Sequence, residues 1–162
     1  MKRQHRWQKS VILAVFLAVI VVMSGIYYFS TNVHSSARAQ ALKMAQTKGG
    51  IQNADFYSEF DRSKRYFAVG GQDQKHPSEY KYVIIDGQSG HLKKINGQKN
   101  QPDKAEKIVL HHQKPQKITR VALGYYHTKP VWEVTYKKHN KTLGYCMLNF
   151  KNTKIIQVID NL

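Results

Sequence analysis

The groups that could do chemistry in this 162-residue chain are eight histidines, one cysteine, ten acidic residues and twenty-six lysines and arginines. A zinc or general-base site needs such groups at ligand spacing, for example two histidines one helical turn apart with a glutamate between them. No His-Glu-x-x-His occurs, and the adjacent His111 and His112 point to different faces of a helix. His112 is expected to pad a helix face, while His34, His76, His91, His127 and His139 fall in turns or at strand ends, where solvated histidines are common. A nucleophilic serine needs a base and an orienting acid, yet neither Gly-x-Ser-x-Gly nor Ser-x-x-Lys with Lys-Thr-Gly is present, and Ser89-Gly90 reads as a turn. Cys146 stands alone among apolar neighbours with no adjacent cation, as a small buried hydrophobe does. A single cysteine also excludes an intramolecular disulfide and any C-x-x-C arrangement. The acidic pairs Glu59 with Asp61 and Asp103 with Glu106 suit strand-end solvation and a helix first turn. A muramidase would need two carboxylates across a cleft, and nothing in their spacing favours that. The expectation is a chain that is not an enzyme, with no catalytic, metal or cofactor-binding residues and no cofactor.

Binding chemistry is better represented. The formal charge is +16, a surplus that attracts polyanions in a salt-dependent way. Lys93, Lys94, Lys99, Lys137, Lys138 and Lys141 are the candidates for meeting the phosphates of teichoic acid or of lipid headgroups. Tyr125 and Tyr126, at a strand end before the turn from His127 to Pro130, are the candidates for protein contact, because exposed tyrosine is enriched at interfaces.

Which polyanion is reachable depends on topology. Residues 11–29 read VILAVFLAVIVVMSGIYYF without a charge, long enough as a helix to cross a bilayer. The run exceeds a signal-peptide core, and Ala37-x-Ala39 lies far downstream for a cleavage site. A pilin-type leader is not indicated either, since no Gly-Phe precedes the run and no Glu lies in it. Lys2, Arg3, Arg6 and Lys9 precede it, with Trp7 near the interface, whereas Ser30 to Gln40 carries only Arg38, which places the N-terminus in the cytoplasm. Tyr27, Tyr28 and Phe29 fit an outer aromatic belt. The expected location is a cell membrane crossed once, with the C-terminal part outside the cell, which removes nucleic acid as a partner despite the basic charge.

The elements that must position these groups are read from periodicity. Ala37, Ala41, Met44 and Ala45 share a helical face over residues 35–48, which stops at Gly49-Gly50. Four strands follow, at 54–60, 65–70, 80–86 and 92–95. A polar linker, NGQKNQ, leads to Pro102 at the first position of a second helix with Ala105, Ile108 and Val109 on one face, ended by Pro115. Strands resume at 117–125, 131–136, 143–150 and 155–160, with turns near His127-Thr128, His139-Asn140 and Asn152-Thr153. The order is one helix and four strands, twice. Phe67-x-Val69 matches Trp132-x-Val134, Tyr82-x-Ile84 matches Cys146-x-Leu148, and residues 89–95 match 153–159, at a shift of 64 to 65 residues. Phe67, Tyr82 and Ile84 are expected to pack one core, and Trp132, Tyr136 and Phe150 the other. The fold class is α+β, each unit a helix on a four-stranded antiparallel sheet, docked together because units of this size bury little core alone. The expected organisation is a basic cytoplasmic tail at 1–10, a transmembrane signal anchor at 11–29, and two units at 30–99 and 100–162.

The second half, PVWEVTYKKHNKTLGYCMLNFKNTKIIQVIDNL, resembles the C-terminal signature of the TseB-like (YpmB-like) cell-wall elongation regulators of Firmicutes. The basic N-terminus, the anchor, the Ala-rich helix ending at Lys48-Gly49, the strand with Phe56-Tyr57, the helix through Lys104 to Val109 and Pro130 to Val134 match in order. Cys146 replaces a more usual aromatic residue, and Lys151 to Lys154 a more usual Lys-Thr-Gly turn. The resemblance implies tandem cystatin-like or PepSY-like units and a Gram-positive, non-catalytic regulator of peptidoglycan elongation that binds a penicillin-binding protein. Two other functions stay open: a charge-driven module for teichoic acid or lipid headgroups, and a PepSY-like protease inhibitor, for which fold alone is weak warrant.

Overall fold

The computed structural model describes the backbone of residues 2–160 and the side chains of residues 16–25, 27 and 36–160. Its elements run α1 (Lys2–Thr47), β1 (Ile51–Asp61), β2 (Arg65–Asp73), β3 (Tyr80–Asp86), β4 (Leu92–Gly97), α2 (Gln101–Gln113), β5 (Lys117–Tyr126), β6 (Lys129–Lys137), β7 (Leu143–Asn149) and β8 (Ile155–Ile159). All eight expected strands are present. They form two antiparallel meanders, β1-β2-β3-β4 and β5-β6-β7-β8. The expected break between an anchor and a helix from residue 35 is absent, and α1 is a single helical element. Nothing between residues 30 and 48 forces a stop, because neither Gly nor Pro occurs there. Gly49 and Gly50 end it, the latter at φ +68°, where an L side chain would be strained.

The chain divides into two units, residues 1–39 and 40–162. In the first, Phe16, Leu17, Val19, Ile20, Val21, Val22 and Met23 form an exposed apolar run. Among the described residues no helix is long and apolar enough to cross a membrane. The expected span 11–29 lies partly outside them, as the side chains of 11–15, 26, 28 and 29 do, together with the basic residues that precede the run.

In the second unit, each sheet is covered on one face by a helix. Ala41 and Ala45 of α1 are buried against Ile51, Val69, Val83 and Ile85, with Leu42 and Met44 beside them. Ala105 and Val109 of α2 are buried with Trp132, Val134, Cys146 and Leu148. The small residues of each helix let it approach its sheet closely, and fully burying each large apolar partner contributes about 1.5–3 kcal/mol. The first sheet's other face packs against the second sheet. Ala68, Tyr82 and Ile84 join the α2 core, where Tyr82 stands edge-on to Trp132 at 5.4 Å and to Phe150 at 5.7 Å. The expected two separate cores are therefore one helix-covered core and one shared core.

This sharing exposes a one-residue slip in the internal repeat. Val69 pairs with Val83 and Val134 with Cys146, so the counterpart of Cys146-x-Leu148 is Val83-x-Ile85, not Tyr82-x-Ile84. A slip of one residue moves a strand's side chains to the opposite face, and Tyr82 and Ile84 point toward the second sheet instead of toward α1. A further joint lies at the strand edges. Phe60 of β1 is fully buried with Ala122 and Val131, and Leu123 N donates to Ser58 Oγ at 3.1 Å.

Candidate functional site

Near the joint, a groove of about 560 Å³ is lined by Tyr66, Ile84, Lys93 and Tyr125, with Lys64, His91 and His127 among its polar walls. Tyr125 is placed by the tail of β5, which ends in the two-residue turn His127-Thr128. Both turn residues have positive φ, 44° and 66°, the left-handed pair that matches the twist of a tight hairpin. Lys93 is placed by register: it pairs with Ile84 and so lies on the face turned toward the second sheet, whereas Lys94 pairs with Val83 and lies on the α1 face.

The groove is aromatic and basic. The Tyr66 and Tyr125 ring centroids are 5.7 Å apart, and Lys93 Nζ sits 4.8 Å from the Tyr125 centroid, a cation over a π face. Burial, then the neighbouring Tyr66, raises the Tyr125 phenol above its ordinary value, so it stays a neutral donor. Asp86, an acid in the lining, accepts from the backbone N–H groups of Ser89 and Gln88 at 2.9 and 3.0 Å, which hold its carboxyl below the usual range. Its charge is thus satisfied by its own turn. The arrangement can take an acidic or aromatic segment; it offers no nucleophile activated by a base.

The structure does not present Tyr125 and Tyr126 as one patch. Strand alternation turns Tyr126 to the opposite face, against the Phe60, Ala122 and Val131 cluster, with His127 edge-on at 4.2 Å. Nor do the six lysines form one surface. Lys93, Lys94 and Lys99 belong to β4 and the linker after it, and Lys137, Lys138 and Lys141 to the end of β6 and its turn. Lys99 is paired with Asp55 at 2.7 Å and Lys138 with Asp160 at 2.9 Å. Lys141 is an exposed turn residue at φ 70°.

The remaining reactive groups are held locally. Cys146 is fully buried and burial pushes its thiol up to about 11. Glu59 accepts from the Tyr57 hydroxyl at 2.8 Å, and Asp61 pairs with Arg65 at 2.8 Å. His112 is exposed in the last turn of α2 instead of padding its face, and packs edge-on with His111. Among the described residues no three His, Cys, Asp or Glu are grouped to hold a metal. Two other clusters carry no signal in the residue pattern. Glu133, 1% exposed, is bonded by both Arg62 and Arg120, the latter at 3.0 Å. Asp55, Tyr80 and Lys99 meet from β1, β3 and the linker after β4.

Two helix-on-sheet units joined through a shared core define the class, a tandem α+β module. The solved structure of the YpmB protein from Bacillus subtilis has this fold: it superposes with a TM-score of 0.57 at 24% identity, covering 77% of this chain and 95% of that one. No protein-family profile matches the chain, and no curated protein sequence does.

Proposed function

We propose that this chain is a YpmB-like, non-catalytic regulator of peptidoglycan elongation. It is anchored by residues 11–29 with its N-terminus in the cytoplasm, and binds a penicillin-binding protein outside the cell. The observation that carries the binding role is the inter-sheet groove, where Lys93 stands over Tyr125 at 4.8 Å. A half-buried tyrosine beside a cation has the chemistry of an interface hot spot. The family reading is supported by the shared fold and by the ordered matches through Pro130 to Val134. The anchor is supported by the exposed apolar run from Phe16 to Met23, a patch that water does not tolerate at that size. Anchoring both proteins in one membrane raises their effective concentration.

The test is photo-crosslinking from position 125 in intact Gram-positive cells. Capture of a transpeptidase, lost in the Lys93→Ala background, supports the proposal. Recovery of no wall-synthesis enzyme sinks it. The teichoic acid reading is less well supported, since Lys99 and Lys138 are committed to carboxylates.

A further inference from the structure

The first sheet carries a second cavity, of about 770 Å³, built differently from the inter-sheet groove. Its origin is a bulge in β1. Gln52 pairs with Gln72 and Phe56 with Gly70, so Asn53, Ala54 and Asp55 stand opposite Gly71 alone. Asn53 absorbs the distortion at φ 48°, a conformation asparagine tolerates better than most residues. Bulges re-aim side chains and concentrate beside functional sites. This one directs Asp55 across the sheet, where its carboxylate accepts from the Tyr80 hydroxyl at 2.5 Å and pairs with Lys99, beyond β4, at 2.7 Å.

The lining chemistry selects a ligand class. Four amide side chains, Asn53, Gln72, Asn96 and Gln98, border the cavity. Asn53 Nδ2 donates to Gln72 Oε1 at 2.9 Å and Lys104 Nζ to Gln98 Oε1 at 2.7 Å, which leaves the Asn53 oxygen, the Gln72 and Gln98 nitrogens and the Asn96 amide to meet a ligand. Its charged residues are Asp55, Glu79 and Lys99, so a chain of +16 presents here a surface without excess positive charge. Burial, then the Asp55 hydrogen bond, raises the Tyr80 phenol, which stays a neutral hydroxyl beside a flat ring. Burial alone would push the Asp55 carboxyl up, but hydrogen bonds from Lys99 and Tyr80 outweigh it and leave it below the usual range, a fixed acceptor. Amides, a fixed carboxylate and an aromatic ring match hydroxyl and acetamido groups on a ring with apolar faces, and the volume falls within that of ordinary ligand pockets. We propose that the cavity framed by Asn53, Asp55, Tyr80, Asn96 and Lys99 binds a neutral saccharide carrying N-acetyl groups. This site is separate from the inter-sheet groove and does not depend on any partner docking there.

The test is a titration of the ¹⁵N-labelled full chain in lipid nanodiscs with chitotriose, read by amide chemical shifts. The expected result is saturable shifts confined to Asn53, Asp55, Asn96, Lys99 and their neighbours, unchanged by added salt. Asp55→Ala and Asn96→Ala, each confirmed folded by its spectrum, are expected to weaken binding roughly tenfold, the effect of losing one such hydrogen bond. The absence of saturable shifts in the wild type, shifts elsewhere on the protein, or binding that collapses with salt would overturn the assignment.

Discussion

Gly124 is the position where the two sheets come closest to excluding any other residue. A β-carbon there would lie 2.3 Å from Cγ and 2.5 Å from Cδ1 of Phe60, whose ring is fully buried in the first sheet's contribution to the joint. Gly124→Ala therefore forces the ring to move inside a packed interior, an overpacking cost of about 1–3 kcal/mol. Phe60→Ala empties the same site and is expected to cost about 3–5 kcal/mol. The two changes compensate each other, since the added methyl enters the space the ring has left. The double variant should therefore be more stable than the sum of the singles by about 0.5–3 kcal/mol, the range for directly touching residues. The assay is urea unfolding of the full chain in nanodiscs, followed by far-ultraviolet circular dichroism. Additive effects, or a Gly124→Ala variant as stable as the wild type, would refute the claim that Phe60 locks one sheet to the other.

Acid sensitivity follows from Asp160, whose carboxyl is held below its ordinary value of 3.8 first by the Tyr136 hydroxyl at 2.6 Å and then by Lys138. A depressed native pKa stabilises fully above the ordinary value and is lost as pH falls through the native one. Asp160→Asn should accordingly reduce the loss of stability as pH falls from about 5 through 3.8 and below, measured as urea midpoints. The buried Cys146 thiol, raised to about 11, should alkylate slowly with iodoacetamide in the native protein at neutral pH and rapidly once the chain is unfolded. Native labelling as fast as that of a free thiol would contradict its burial.

The strands were legible because their signals are local. Alternating Tyr, Val and Ile between turn residues marks 80–86 and 131–136 without reference to anything distant. The repeat was legible for the same reason, but its register was not. Tyr82-x-Ile84 and Val83-x-Ile85 are equally apolar, and only the presence of the second sheet on the far side decides which pair faces α1. Of the inter-sheet groove, Lys93 and Tyr125 were visible as residue types, while their meeting required two strands from different sheets. Asp55 and Tyr80 carried no signal, because a bulge, which no residue pattern announces, aims the carboxylate. Glu133 reads as a polar position in a strand, and its burial depends on Arg62 arriving from the β1–β2 turn.

The most direct test of the binding role is the affinity of the full chain in nanodiscs for the extracellular part of an elongation-specific penicillin-binding protein, measured by biolayer interferometry. Saturable binding that weakens at least about tenfold in Tyr125→Ala, as expected for an interface hot spot, and also weakens in Lys93→Ala, is the predicted result. No binding, or equal affinity for the wild type and Tyr125→Ala, would contradict it.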